Sequence, residues 1–264
     1  MRSSSWPYGL PIFRRDLINW QLWRLWLLTT AMEWVPFGRL AGWRRYQMPT
    51  VGKNRSRFSA DVSRLEEHYS RLFMEHNDTP AAVQQRDRTT QESRMLRLCE
   101  VGDISEAAIL DWGCGSGHLL HVLRTQLNFQ GQYTGYDVSE PHLQAARLKF
   151  PDATFDRRDI FSKGAGGEFD YVLISGVFNN KINDNWEFMK EAISILFSAT
   201  RKAIAFNALS YYVDYFDDHL FYVDPCKVFE FCKKNISPLV SLRHDYRLKP
   251  GTLPYEFTVY VRRG

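Results

Sequence analysis

The sequence predicts an α/β fold: a doubly wound, mostly parallel sheet of seven strands that ends in an antiparallel C-terminal hairpin strand, with a helical extension at the N-terminus. Three observations predict it. From residue 107 onward, apolar runs of strand length alternate with amphipathic runs of helix length, the pattern of a parallel sheet covered by helices on both faces. The stretch "ILDWGCGSGHLL" (109–120) sets Gly113, Gly115 and Gly117 at alternate positions between one such strand and the helix after it. The last two strand-like runs are joined only by "RLKPGTLP", eight residues with Pro250, Gly251 and Pro254, too few for a crossover helix, so they pair antiparallel.

The elements follow in order. "ADVSRLEEHYSRLFMEH" (60–76) gathers Val62, Leu65, Tyr69, Leu72 and Phe73 on one side of a helix, and "RTTQESRMLRLCEVG" (88–102) reads as a second helix that Gly102 ends. Strand one is "AAILDW" (107–112), and the helix after it opens at Gly117 with Leu119, Leu120, Val122 and Leu123. Strand two is "QYTGYDV" (132–138); Ser139 caps the next helix and Pro141 sits in its first turn. "ATFDRRDI" (153–160) and "FDYVLISG" (169–176) are strands three and four, and the helix "NWEFMKEAISILFSA" (185–199) leads to strand five, "KAIAFNAL" (202–209). "PLVSLRHDY" and "YEFTVYVRR" complete the sheet.

A chain of 264 residues with 44% apolar and 15% aromatic content can bury one α/β core and carry an attachment. The net charge of +4 is unevenly spread: residues 1–45 hold seven arginines against Asp16 and Glu33, whereas the remaining residues hold 27 Lys and Arg against 28 Asp and Glu. Basic character therefore belongs to the N-terminal segment, and a nucleic-acid-binding face is not expected. Trp6, Trp20, Trp23, Trp26, Trp34 and Trp43 lie in the same segment, where residues 16–34 read as a helix broken by Pro36 and Gly38. Arg24 and Glu33 interrupt the run of roughly 20 apolar residues that a membrane span requires, and a signal-peptide cleavage site is lacking. Two readings fit this segment: an interfacial helix on a membrane surface, or a contact with the globular body or a second subunit, as in a homo-oligomer. Cys99, Cys114, Cys226 and Cys232 show no paired spacing, so neither a metal site nor a disulfide framework is indicated, and a reducing, cytoplasmic setting fits.

The glycine loop at 113–117 brings backbone N–H groups to a polar ligand at a helix N-terminus. A dinucleotide fingerprint would be GxGxxG. Here the spacing is GxGxG, with Asp111 two residues ahead of it. Asp137 ends strand two, 20 residues after Gly117, where a carboxylate can accept ribose hydroxyls.

On these residues the chain, from about His68 to its end, resembles the class I S-adenosylmethionine (SAM) methyltransferases. The resemblance implies a methyltransferase domain over 59–264, lid helices 60–102 included, beside an extension over 1–58. It implies SAM as cofactor and S-adenosylhomocysteine as product, with no metal. It places Asp111 near the methionine amino group, Gly113, Gly115 and Gly117 along the cofactor, and Asp137 on its ribose. In "RRDI" it puts Asp159 at the adenine amino group and Ile160 against the ring, while "LISGVFNN" brings Ser175 and Gly176 to the cofactor and Asn179, Asn180 and Lys181 to the substrate side. Segments such as "EEHYSRLFMEHNDTPAAV", "TTQESRML" and "FYVDPCKVFEFCKKN" look like a group of small bacterial members. In that group Arg94 would meet the cofactor's carboxylate and Tyr69 its methionine portion. Read without the resemblance, Asp159 is a helix-capping turn residue and Arg94 a solvent-facing helix arginine.

For a general base, His244 is the first candidate, although Asp245 beside it points to the other face of the strand and cannot orient it. Asn179, Lys181 and His219 are alternatives. "LSYYVDYFDDHLFYVDP" (209–225) supplies an aromatic substrate cover whose rings, interleaved with Asp214, Asp217 and Asp218, suit a sugar. The expected reaction is methylation of a hydroxyl on a small molecule or glycan, a lipid-linked saccharide if the N-terminus meets the inner membrane. An amine or aminosugar acceptor, and a non-catalytic SAM-binding partner subunit, are the alternatives. A nucleic-acid substrate is not expected, because "SGVFNN" lacks the (N/D/S)PP(Y/F) motif of exocyclic-amine methylation.

The N-terminal charge gives a first prediction. Each arginine near an anionic surface contributes roughly 1 kcal/mol. Deleting residues 1–55 is expected to abolish co-sedimentation with anionic vesicles while leaving SAM binding intact; equal sedimentation of both forms refutes the membrane reading.

Overall fold

The computed structural model describes residues 57–264. The helix expected over 16–34, with the membrane and oligomer readings attached to it, lies outside the described residues. Those residues form α1 (Ser59–His76), a 3-10 turn (Pro80–Val83), α2 (Arg88–Cys99), β1 (Ala108–Trp112), α3 (His118–Gln126), β2 (Gln132–Asp137), α4 (Glu140–Lys149) and β3 (Thr154–Arg157). The chain continues through α5 (Ile160–Lys163), β4 (Phe169–Ile174), α6 (Asn185–Ser198), β5 (Thr200–Ser210), β6 (Tyr222–Val223), α7 (Pro225–Asn235), β7 (Leu239–Arg243) and β8 (Glu256–Arg262).

Strands that read as unbroken apolar runs take the middle of the sheet, as burial on both faces requires. The order is β3-β2-β1-β4-β5-β8-β7, with β6 paired to β5 off this path. β1 to β5 run parallel, while β8 is antiparallel to both β5 and β7. The sheet thus has eight strands, one more than expected, because Tyr222 and Val223 pair with Leu209 and Ser210. Side chains alternate across the strands. Leu110, Val172, Ile174, Ile204 and Phe206 pack with Phe188, Met189, Ile193 and Leu196 of α6 on one face. Ile109, Leu173, Ala203 and Ala205 pack with Leu98, Leu119, Leu123 and Leu143 of α2, α3 and α4 on the other. Among the described residues no helix is long and apolar enough to cross a membrane.

Three local expectations change. α2 ends at Cys99, and Gly102 serves packing instead: a Cβ there would come within 2.6 Å of the Tyr171 hydroxyl. Ser139 stands at the N-cap of α4, but its hydroxyl makes no cap bond; it lies 2.9 Å from His142 Nδ1 and 3.1 Å from Ser70 Oγ. β3 stops at Arg157, because Asp159 accepts the Phe161 N–H at 2.9 Å and turns the chain into α5.

α1 crosses the C-terminal ends of the strands and is stitched down along its length. Phe58 packs on Phe161 and Phe188, Asp61 accepts the Asn183 N–H at 3.3 Å, Glu66 pairs with Arg157, and the Tyr69 hydroxyl accepts from Asn180 Nδ2 at 3.1 Å.

Phe206 lies at the centre of the sheet and is fully buried. Phe206→Ala is expected to destabilise the fold by about 3–5 kcal/mol, read as a lower urea midpoint with an unchanged slope. A loss within about 0.5 kcal/mol would show that the core is not organised around this ring.

Candidate functional site: a cleft over the strand ends

A cleft of about 1220 Å³, its open mouth included, lies between the C-terminal ends of β1, β2 and β4 and the cover formed by α1, the 3-10 turn and α2. Its floor is the glycine loop. The N–H groups of Gly113 and Cys114 donate to Tyr136 O at 2.7 and 3.1 Å, folding the loop onto β2. Gly113 has φ +82°, and a Cβ on it would meet Val177 Cγ2 at 2.3 Å. Gly117, the N-cap of α3, has φ +80°. Side chains at either place would strain the backbone, and at Gly113 one would also strike the β4 loop.

Gly115 donates its N–H to Asp137 Oδ2 at 2.8 Å, and Asp137 Oδ1 accepts from Val138 N and Ser139 N at 2.8 and 2.9 Å. Three backbone donors thus aim this carboxylate. One of its four lone-pair directions, on Oδ2, is left for a ligand hydroxyl.

Asp111 is buried at the end of β1. Its Oδ2 accepts the Tyr133 hydroxyl at 2.6 Å, and its Oδ1 is buried without a hydrogen-bond partner. Burial pushes its pKa up to about 7; the Tyr133 bond opposes the rise and the nearby Asp137 charge adds to it. An unpaired buried acceptor on a cleft wall is costly. A cation placed there removes the cost.

The remaining expected residues are distributed as follows. Asp159 and Ile160 line the cleft together with Phe161, and Asp159 is also the cap of α5, as its capping reading expects. Ser175 and Gly176 line the cleft at the end of β4. Arg94 lines it from α2 and is 5% exposed, which rules out a solvent-facing arginine. Tyr69 lines it from α1, and burial raises its pKa, keeping the phenol protonated. Beyond β4, Asn179 Oδ1 is buried without a partner, while Lys181 is exposed.

The same segment holds the aromatic stretch. Phe221 N donates to Asn179 O at 2.8 Å, Lys181 N donates to His219 O at 2.9 Å, and Asn180 bridges Leu220. Tyr211, Tyr212, Tyr215 and Phe216 are 45–74% exposed, with Tyr211 and Phe216 ring centroids 5.4 Å apart.

His244 is not brought into the cleft. It follows β7 at the sheet edge, separated from β5 by β8, and its Nε2 donates to Pro254 O at 2.9 Å. Asp245 pairs with Arg243 instead. The histidine's ring stands 6.3 Å from that of Tyr212, so it backs the aromatic stretch. Among the described residues no cluster of His, Cys, Asp and Glu could hold a metal ion. Sequence reading passed over Asn207 and Glu256, both buried polar residues in central strands beneath Arg94 and Gly176; the signal was a polar residue inside the apolar runs "IAFNAL" and "YEFTVYV".

A family profile described as a methyltransferase domain matches residues 103–207. A Mycobacterium tuberculosis protein described as a methyltransferase is 36% identical over 163 residues, covering 60% of this chain and 93% of the relative. The chain belongs to the class I SAM-dependent methyltransferases. Magnesium protoporphyrin IX methyltransferase from Synechocystis, solved with bound SAM, is similar to this methyltransferase in fold, with a TM-score of 0.54 at 16% identity over 77% of this chain and 97% of that one. The plantazolicin methyltransferase solved with S-adenosylhomocysteine gives a TM-score of 0.52 at 14% identity over 78% and 98%.

SAM is the methyl donor and S-adenosylhomocysteine the product. The residues present fit the donor: a cleft floor made of Gly113 and Gly115, where a Cβ on Gly115 would point toward the lining residues Val83 and His142, a backbone-aimed carboxylate at Asp137, and an orphaned oxygen at Asp111 suited to an ammonium.

With its pKa raised to about 7, Asp111 keeps its proton in the empty fold below that pH, so this group costs stability progressively as pH climbs from about 4 to about 7. A docked ammonium favours the ionised form. SAM affinity is therefore expected to rise as pH increases, by up to about tenfold per unit below pH ~7, and to level off above it. Titration calorimetry from about pH 6 to about pH 8, in buffers of different ionisation enthalpy, should detect the released proton, and Asp111→Asn should remove the pH dependence. A flat profile for the unaltered protein counts against an ammonium at Asp111.

Proposed function

We propose that this methyltransferase methylates a hydroxyl of a small molecule or glycan, held on the aromatic stretch beside Asn179. One observation carries the reading: the stretch with four exposed rings, interleaved with Asp214, Asp217 and Asp218, is fastened by backbone hydrogen bonds to residues 179–181, which directly follow the part of the β4 loop that lines the cleft. Ring faces suit the C–H faces of a sugar, and the carboxylates suit its hydroxyls.

SAM supplies an activated methyl group on a sulfonium. In this reading Asp111 holds the donor's ammonium, Gly113 and Gly115 leave room for its length while Gly117 turns the loop into α3, and Asp137 takes a ribose hydroxyl. Asp159 takes the adenine amino group, Ile160 packs on the ring, Ser175 and Tyr69 flank the methionine portion, and Arg94 takes its carboxylate. Holding two reactants at near-attack distance is the main rate gain for an in-line displacement. The unpaired Asn179 Oδ1 accepts from the acceptor hydroxyl and so aims its lone pair. Lys181 borders the acceptor entrance, and His244 supports the platform through Tyr212 without touching the reacting atoms. The arginines of residues 1–45 favour an anionic surface, which makes a lipid-linked saccharide at the inner face of a membrane an acceptor that satisfies both ends of the chain. An aminosugar is the second reading, favoured by the same three carboxylates.

The 264-residue chain, given methyl-labelled SAM and a panel of oligosaccharides, glycolipids, aminosugars and carboxylic acids, is expected to form an acid- and base-stable methyl ether. A base-labile ester overturns the reading, and an N-methyl product selects the aminosugar alternative. The double variant Tyr211→Ala/Phe216→Ala should raise the acceptor KM by about tenfold and leave the KM for SAM unchanged.

A further inference from the structure

Glu256 begins β8 in the interior of the sheet and is 1% exposed. A carboxylate this deep is almost always paired. Its partner is Arg94, whose Nη1 lies 3.4 Å from Glu256 Oε2. That separation exceeds the roughly 2.7–2.9 Å of a charge-assisted hydrogen bond, and Oε2 has no hydrogen-bond partner. Oε1 receives a long 3.3 Å contact from the Tyr246 hydroxyl. Arg94 Nε also lacks an acceptor, although the Tyr255 hydroxyl adjoins the guanidinium. Both partners hold hydrogen-bonding capacity in reserve. A buried ion pair in this condition is a poor device for stability, because apolar residues of similar volume serve as well or better.

The reserve faces the cleft. A Cβ on Gly176 would lie 4.0 Å from Arg94 Nη1, so the guanidinium borders the end of β4, and the Gly176 N–H itself is held at 2.7 Å by Asn207 Oδ1. Asn207 is fully buried, pairs with Thr258 across β5 and β8, and has its side chain against Glu256. The Tyr246 hydroxyl joins Glu256 to Thr258 Oγ1, 2.8 Å away. One polar network therefore supports Arg94 and the β4 loop from beneath.

We infer that Glu256 is a positioning residue for the cofactor: it pins the Arg94 guanidinium from behind the cleft so that the free edge of the guanidinium meets the carboxylate of SAM. The inference rests on the reading of Arg94 given under the proposed function. The planar fork of arginine can serve a carboxylate on each of two edges. Tied to Glu256, Arg94 is neutralised in the empty cleft and directional when filled. Unpaired, it would be a buried cation with many rotamers that accepts any small anion.

Direct binding of SAM and of decarboxylated SAM, which lacks only the carboxylate, tests this. The readout is the ratio of their Kd values. Arg94→Met is expected to collapse the ratio toward one. Glu256→Gln keeps the shape and removes the charge; it is expected to weaken SAM by about tenfold, the worth of one charge-assisted hydrogen bond, with decarboxylated SAM unchanged. Removing a negative charge strengthens the field on an anion, so a loss of SAM affinity in Glu256→Gln reports geometry and not field. Tighter SAM binding, no change, or equal loss of both ligands overturns the inference. A collapsed ratio in Arg94→Met with an unchanged one in Glu256→Gln overturns it while leaving the Arg94 reading in place, whereas an unchanged ratio in Arg94→Met removes both. Should Glu256→Gln not fold, Tyr246→Phe loosens the same carboxylate, and a selective loss of SAM is the supporting result.

Discussion

Everything in the cleft depends on one contact between two neighbouring parallel strands, the hydrogen bond from Gly115 N–H to Asp137 Oδ2. β1 and β2 run side by side, so the loops leaving their C-terminal ends must either collide or interlock. Here they interlock. The glycine loop folds over the end of β2, and the carboxylate at that end collects backbone donors from both loops. The positive φ at Gly113 and Gly117 is the geometric condition for this crossing, and the floor of the cleft is its result.

The buried polar atoms describe what the floor is for. A fold of this size leaves few buried donors and acceptors without partners, because each one is costly. In this protein Asp111 Oδ1, Arg94 Nε and His142 Nε2 belong to residues that line the cleft, Asn179 Oδ1 lies just beyond the end of β4, and Asn207 Nδ2 and Glu256 Oε2 lie beneath Arg94. They differ in sign: an acceptor beside the glycine loop, a cation at the end of β4, and an acceptor toward the aromatic stretch. A ligand with an ammonium, a carboxylate and a neighbouring hydroxyl partner would satisfy that order.

The parts of the molecule that could be read from sequence are those written in consecutive residues. The alternation of strands and helices, the loop spacing, Asp111 and Asp137 are all local patterns, and each lies where the physics of a strand end puts it. β6 and α5 escaped because two and four residues are too few to show a period. Glu256 and Asn207 escaped for another reason. They interrupt apolar strands, and only the antiparallel insertion of β8 beside β5 brings them under Arg94, more than 100 positions earlier in the chain. The same insertion moves His244 outward to the sheet edge, which no local pattern around "HDY" could reveal.

The stitching of α1 also reaches the cleft. Val62, Leu65 and Tyr69 form part of the cleft wall, so the fastenings of the helix at Asp61, Glu66 and Tyr69 also hold that wall in place. The Glu66–Arg157 pair is largely exposed and is screened by salt, whereas the Tyr69–Asn180 bond is sheltered and is not. The wall is thus held by a weak outer clasp and a firmer inner one. Rising ionic strength weakens the outer clasp and spares the inner one, so salt acts on one fastening of this wall and not on the other.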